Sequence, residues 1–180
     1  MAANIFLTGF MGTGKTTISR QLSEMTKLRE ADMDRIIETR KGMKINDIFA
    51  AYGEAYFRDL ETKLVKEYEK KSGYIISCGG GCVLRPENVK SMKKNGLVIW
   101  LTATPQTVYE RVRHSKNRPL LNGNMNVEYI MELMERRNGF YEAAADITVV
   151  SDGRSPEEIA GEIIKKLKNP NFSFDFSDEV

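Results

Sequence analysis

Gly9 to Thr16 read GFMGTGKT. Two glycines five positions apart, then lysine and a hydroxyl residue, match the pattern of a phosphate-binding loop. Gly9, Gly12 and Gly14 let the backbone turn tightly and bring successive N–H groups to bear on one anion. Lys15 adds a point charge near the terminal phosphates. Thr16 falls in the first turn of the next helix, where a hydroxyl can reach Mg²⁺ and the helix dipole favours negative charge. The flanks agree with this order. Upstream, Asn4 to Thr8 (NIFLT) is a short buried-strand run; downstream, Ile18, Leu22 and Met25 recur at helical spacing.

Beyond this unit the chain alternates strand and helix signals, which predicts a parallel sheet covered on both faces. Arg29 to Met33 (READM) reads as a second strand ending in acids. Asp34 to Arg40 and Asn46 to Lys71 read as helices, with Ile45, Ile48, Phe49 and Tyr52 on one side. Tyr74 to Ser77 (YIIS) is a strand running into Gly79-Gly80-Gly81, and Pro86 to Lys94 is helical. Leu97 to Leu101 is the clearest strand, and Pro105 opens the helix after it. Arg113 to Asn126 is polar and reads as a loop; Val127 to Ala145 is helical, Ile147 to Val150 is the fifth strand, and Ser155 to Lys168 is the closing helix.

With 180 residues, 41% hydrophobic and 29% charged, the chain can fill one substantial core. One α/β domain with insertions is expected. A net charge of +2 from 27 basic and 25 acidic residues, without a basic stripe interleaved with aromatics, argues against nucleic acid as a partner. No apolar run approaches the roughly 18 residues a membrane span needs, and the first apolar stretch is already the strand before the glycine loop. A cytoplasmic protein with no membrane association is expected. Cys78 and Cys82 bracket the glycine triplet, and His114 is the chain's one histidine. That is too few N and S ligands for zinc, and the thiols read as reduced structural residues, with a redox pair as the alternative.

In an open parallel sheet, ligands gather at the carboxyl ends of the strands. Three polar groups fall there: the glycine loop after strand one, Asp32 and Asp34 after strand two, and Gly79 to Gly81 after strand three. Two carboxylates at one strand end can divide the work, one holding a hydrated metal and the other accepting a hydrogen bond from a hydroxyl. Acids at a helix start also serve as caps. Phosphoryl transfer needs fixed positive donors, and Arg58 and Arg118 stand where they can supply them.

Taken together, GFMGTGKT, Asp32-Met33-Asp34, Phe57-Arg58 with Glu61, Gly79-Gly80-Gly81, Arg118-Pro119-Leu120-Leu121 and Arg137-Asn138 with Tyr141 closely resemble shikimate kinase, from Asn4 to about Lys168. The resemblance implies a P-loop NTPase fold, an α/β five-stranded parallel sheet of nucleoside monophosphate kinase type. It implies transfer of phosphate from ATP to the 3-hydroxyl of shikimate. Gly12, Thr13, Gly14, Lys15, Thr16 and Thr17 would hold the nucleotide, with Arg111, Arg154 and Pro156 flanking adenine. Thr16 and Asp32 would hold Mg²⁺, Asp34 would contact the acceptor hydroxyl, and Arg118 would close as a lid. Arg58 and Arg137 would bind the substrate carboxylate; Phe49, Phe57, Glu61, Gly80 and Gly81 would complete the wall. The assignment of Arg137 over Arg136 rests on counting back from Tyr141. Departures from the family pattern are Gly139-Phe140 before that tyrosine and Cys78 where a hydroxyl residue is usual.

The domain implied covers residues 1–168, with a substrate-binding insertion at about 34–61 and a lid at about 113–126. The protein is expected to be a monomer. Residues 169–180, with phenylalanines at 172, 174 and 176, read as a solvated or loosely docked tail. A gluconate kinase or a nucleotide-gated regulator remains a competing reading. The guanine-reading Asn-Lys-x-Asp motif of GTPases is absent from the sequence.

Overall fold

The computed structural model describes residues 3–115, 121, 124–172 and 174. Five strands, β1 (Asn4–Thr8), β2 (Arg29–Asp32), β3 (Tyr74–Ser77), β4 (Gly96–Thr102) and β5 (Ile147–Val150), form one sheet in the order β2-β3-β1-β4-β5. Every neighbouring pair is parallel. Central β1 sets Leu7 beside Ser77 of β3 and Ile99 of β4. The sheet is wrapped by α1 (Lys15–Thr26), α2 (Met33–Lys41), α3 (Ile45–Tyr68), α4 (Pro86–Lys94), α5 (Pro105–Val112), α6 (Val127–Ala144) and α7 (Pro156–Leu167).

The strands read as unbroken apolar runs because both faces are covered, and alternate side chains part to opposite cores. Ile5 and Leu7 of β1, Ile75, Ile99 and Leu101 pack with Ile18 and Leu22 of α1 and Ile159 and Ile163 of α7. Phe6, Ile76 and Val98 face the other way, onto Met33, Phe57, Leu64, Met92 and Tyr141. A third cluster of Phe10, Val108, Val112, Ile130 and Met134 ties the phosphate loop to α5 and α6. Asn4 is fully buried, and its side chain donates to the carbonyls of Tyr68 and Lys71 and accepts from the amide of Tyr74. One amide thereby fixes the turn between α3 and β3 against the foot of the central strand.

Two local outcomes differ from the sequence reading, and a third decides between its alternatives. Met33 opens α2 rather than closing β2, because Asp32 adopts extended geometry and caps the helix, its Oδ1 accepting from the amide of Arg35 at 3.0 Å. The long helix α3 breaks at Gly53, which takes φ 82° and ψ 170°. In a straight helix the rise alone would separate residues eight apart by about 12 Å. The break brings the Phe49 and Phe57 rings to 5.0 Å. Of the two readings of the tail, solvated or loosely docked, its start takes the docked one, with Phe174 buried and Phe172 partly buried against the core that α1 and α7 share. Burial of an aromatic ring outweighs the ordering of a few residues.

Candidate active site

The phosphate loop follows from backbone sterics. Gly9 takes φ 138°, and a Cβ there would lie 2.3 Å from the carbonyl oxygen of Leu101, so only glycine lets β1 turn beside β4. The buried Thr13 hydroxyl donates to the Phe10 carbonyl at 2.8 Å and closes the loop from inside. Gly14 then caps α1, whose first turn carries no acid to oppose an anion. The ammonium of Lys15 donates to the carbonyls of Gly9 and Phe10, at 2.8 and 2.9 Å, and so lies folded along the loop.

A cavity of about 350 Å³ opens over this loop, lined by Gly12, Gly14, Lys15, Thr16, Thr17, Asp34, Ser77, Cys78, Gly80, Arg111 and Met11. The carboxyl ends of β1, β2 and β3 all deliver to it. Asp32 serves two elements at once: while Oδ1 caps α2, Oδ2 accepts from the Thr16 hydroxyl at 2.8 Å. The Ser77 hydroxyl lies 3.4 Å from that of Thr16. These hard oxygens suit Mg²⁺. Among the described residues no group of three or more His, Cys, Asp or Glu gathers to hold a metal ion. Such a set matches an ion that takes one or two protein oxygens and relies on phosphates and water for the rest.

Beside the loop stands a buried ion pair. Arg58 and Glu61 lie one helical turn apart on α3, and the guanidinium Nη1 donates to Glu61 Oε2 at 2.6 Å. Glu54, four residues before Arg58, accepts from its Nε and Nη2 at 3.1 and 2.8 Å. Arg58 is 8% exposed and Glu61 fully enclosed. The glycine triplet admits the pair: a Cβ on Gly81 would lie 2.3 Å from the Arg58 Cζ, and one on Gly79 2.1 Å from Glu61 Oε1. Burial pushes the Glu61 carboxyl up to about 7 against the pull of Arg58, with Asp34 adding to the rise. Burial works against the charge of Arg58, but Glu61 and Glu54 outweigh it and strengthen the hold of Arg58 on its proton.

The sequence-derived residues do not all converge. Arg137 reaches the Phe10 ring, with its Cζ 5.8 Å from the centroid, whereas Arg136 is exposed and paired with Glu132. Arg111 donates to the Gly12 carbonyl at 3.2 Å and to the Ser151 carbonyl and hydroxyl at 3.0 and 3.1 Å. Arg154 instead bonds the Val150 and Glu158 carbonyls and pairs with Glu162 at 2.6 Å. Neither Arg154 nor Pro156 is among the residues lining the cavity. Arg118 lies outside the described residues, as does half of the 113–126 segment. Cys78 and Cys82 are buried thiols, and hydrogen bonding with Cys78 together with burial pushes the Cys82 thiol well above its ordinary range.

Two contributors escaped the sequence reading. Ser77 restores a hydroxyl one residue before Cys78, and its strand-end position was the available signal. Glu54 was signalled by its i,i+4 spacing to Arg58.

The parallel sheet, the glycine loop after its central strand and the acids at the adjoining strand end define a P-loop NTPase fold, with a buried ion pair set beside the phosphate site. The family model for shikimate kinase matches residues 11–168. A shikimate kinase of Persephonella marina is 42% identical over 165 residues, covering 92% of this chain and 99% of its own. Among solved structures, the shikimate kinase of Acinetobacter baumannii in complex with shikimate superposes with a TM-score of 0.89 at 30% identity, covering 93% of each chain. That of Aquifex aeolicus gives 0.79 at 36% identity, covering 91% of this chain and 95% of its own. The chain belongs to the shikimate kinase family.

Proposed function

We propose that this protein transfers the γ-phosphoryl group of ATP to the 3-hydroxyl of shikimate, giving shikimate 3-phosphate and ADP on the route to the aromatic amino acids. The observation that carries the reading is the buried Arg58–Glu61 pair set against the phosphate loop across the glycine triplet. A nucleotide sensor needs no such anion site.

In this reading the amides of Gly12 to Thr17 and the Lys15 ammonium receive the phosphates of ATP, with Lys15 leaving the Gly9 and Phe10 carbonyls to do so. Thr16 and Asp32 would hold Mg²⁺, which would supply positive charge beside the phosphates. The shikimate carboxylate lies between Arg58 and Arg137, and the Gly80 and Gly81 amides, Phe49, Phe57 and Glu61 enclose the ring. Asp34 orients the acceptor hydroxyl in line with the γ-phosphoryl and takes its proton as the new P–O bond forms and the bond to the ADP oxygen breaks. Arg111 borders the adenine end, with Arg154 and Pro156 beyond it, and Arg118 closes over the phosphates. Positioning and charge neutralisation carry this reaction.

All these groups belong to one chain, so the reading needs only a monomer. No described helix is long and apolar enough to cross a membrane. An ATP-consuming biosynthetic step and two reduced thiols fit a cytoplasmic location.

The test is coupled ADP formation with Mg²⁺, ATP and a panel of shikimate, gluconate and nucleoside monophosphates. Shikimate-dependent release of ADP, abolished by chelation and accompanied by shikimate 3-phosphate, is expected. Turnover with gluconate in preference to shikimate would overturn the acceptor assignment.

A further inference from the structure

Tyr141 is 1% exposed, on the inner face of α6. Its hydroxyl donates to the carbonyl of Gly80, in the glycine triplet. The guanidinium of Arg137, one turn earlier on α6, lies close enough to act on the Tyr141 phenol oxygen. Burial pushes the phenol up to about 12 although Arg137 opposes the shift, so the hydroxyl keeps its proton and remains a donor. Its ring stacks on Trp100, with centroids 5.9 Å apart and planes 15° from parallel. Trp100 is the β4 partner of Thr8, the last residue of the strand that feeds the phosphate loop. One side chain therefore touches a substrate-facing helix, the glycine triplet and the frame of the sheet.

Packing alone does not call for the hydroxyl, since phenylalanine would stack on Trp100 equally well. The hydroxyl addresses a problem the triplet creates. A peptide flanked by glycines rotates easily, because no Cβ restricts either side. Within one trans peptide plane the Gly80 carbonyl and the Gly81 N–H point in opposite directions. Holding the carbonyl on the α6 side aims the N–H away from α6. The Arg137 guanidinium beside the phenol oxygen polarises the Tyr141 O–H and strengthens its bond to Gly80.

We propose that Tyr141 is a positioning residue for phosphoryl transfer, its hydroxyl locking the Gly80–Gly81 peptide and the Arg137 guanidinium into one geometry that receives the acceptor carboxylate. The proposal rests on the assignment of Gly81 and Arg137 to shikimate made above.

The test is a double-mutant cycle of Tyr141→Phe and Arg137→Ala, read as KM for each substrate and as shikimate affinity from Trp100 emission. Tyr141→Phe is expected to raise the shikimate KM about tenfold, in the range of hydrogen bonds that involve a charged group. The ATP KM should stay within about twofold, and the effect on shikimate should shrink to about twofold or less in the Arg137→Ala background. Faster amide hydrogen exchange at Gly81 in Tyr141→Phe, read by mass spectrometry or NMR, gives a second measurement independent of turnover. An unchanged shikimate KM, equal losses for both substrates, or the same loss in both backgrounds would overturn the positioning role. Arg137→Ala with an unchanged shikimate KM would instead overturn the reading on which the proposal stands.

Discussion

Around the phosphate loop the polar atoms that matter belong to the main chain, and even Lys15 and Thr13 rest on carbonyls of the same loop. On the acceptor side they sit at the ends of long side chains, where Arg58, Glu54 and Glu61 meet only because two turns of α3 face a strip of glycine. The nucleotide half is shaped by local backbone geometry, whereas the acceptor half is shaped by tertiary packing of α3 and α6 against the sheet. The halves should therefore fail differently. Damage to the first should appear in turnover, and damage to the second in acceptor affinity and in stability.

The largest effect should come from Lys15→Met. Loss of one preorganised charge at the transferring phosphoryl is expected to lower kcat by about 10³-fold or more. Shikimate affinity measured by Trp100 emission should hold within about threefold. If shikimate affinity collapsed as well, the two halves would not be independent.

Next in size is Arg58→Ala. It leaves a substrate anion and Glu61 without their buried partner, a loss of about 2–5 kcal/mol and so roughly 30-fold or more in shikimate KM. The ATP KM should be little changed. The melting temperature should also fall, and adding Glu61→Gln should restore part of it without restoring affinity. An unchanged shikimate KM in Arg58→Ala would remove the acceptor assignment.

Gly81→Ala sharpens the contrast with the smallest possible change. Its methyl would lie 2.3 Å from the Arg58 Cζ, so the guanidinium must shift. A rise in shikimate KM of about tenfold is expected, from overpacking of the order of 1–3 kcal/mol. Steady-state kinetics should show ATP binding unaltered.

The smallest effect concerns pH. The Glu61 carboxyl is raised from 4.5 to about 7 in the folded chain. Between those values the unfolded chain has already lost the proton that the folded chain keeps, so stability falls as pH rises through this window. Binding of the shikimate anion nearby raises the carboxyl further. Shikimate KM should therefore be lowest below pH 7 and climb by about two- to fivefold above it, with the rise complete past the pKa of the bound state. Glu61→Gln should flatten both profiles, and calorimetry together with KM measured across pH 5 to 8 checks each.

The division between halves also explains what the amino-acid order could disclose. Gly9 to Thr16 and the acids after β2 were legible because each acts through its own few residues. For Asp32 the capping and cavity-facing readings compete in the sequence and coexist in the fold, one oxygen serving each. Arg136 and Arg137 differ by about 100° around α6, and only the packing of that helix tells them apart. The break at Gly53 was hidden because apolar residues keep helical spacing on either side of it and a lone glycine is tolerated in a helix. Arg154 carries no local pattern to signal that it would turn along α7 toward Glu162 instead of toward the cavity.

Phe174 belongs to the core on the side of the sheet that α1 and α7 cover, the one that also holds Ile18 and Leu22 and is separate from the core holding Phe57 and Leu64 of α3. A chain trimmed at Lys168, the last residue of the family match, would retain every proposed ligand-contacting residue yet open a hydrophobic hole in the core that the helix beginning with Lys15 helps to cover. The edge of sequence kinship would then be a poor place to cut, because the nucleotide end of the molecule leans on six further residues for its rear wall.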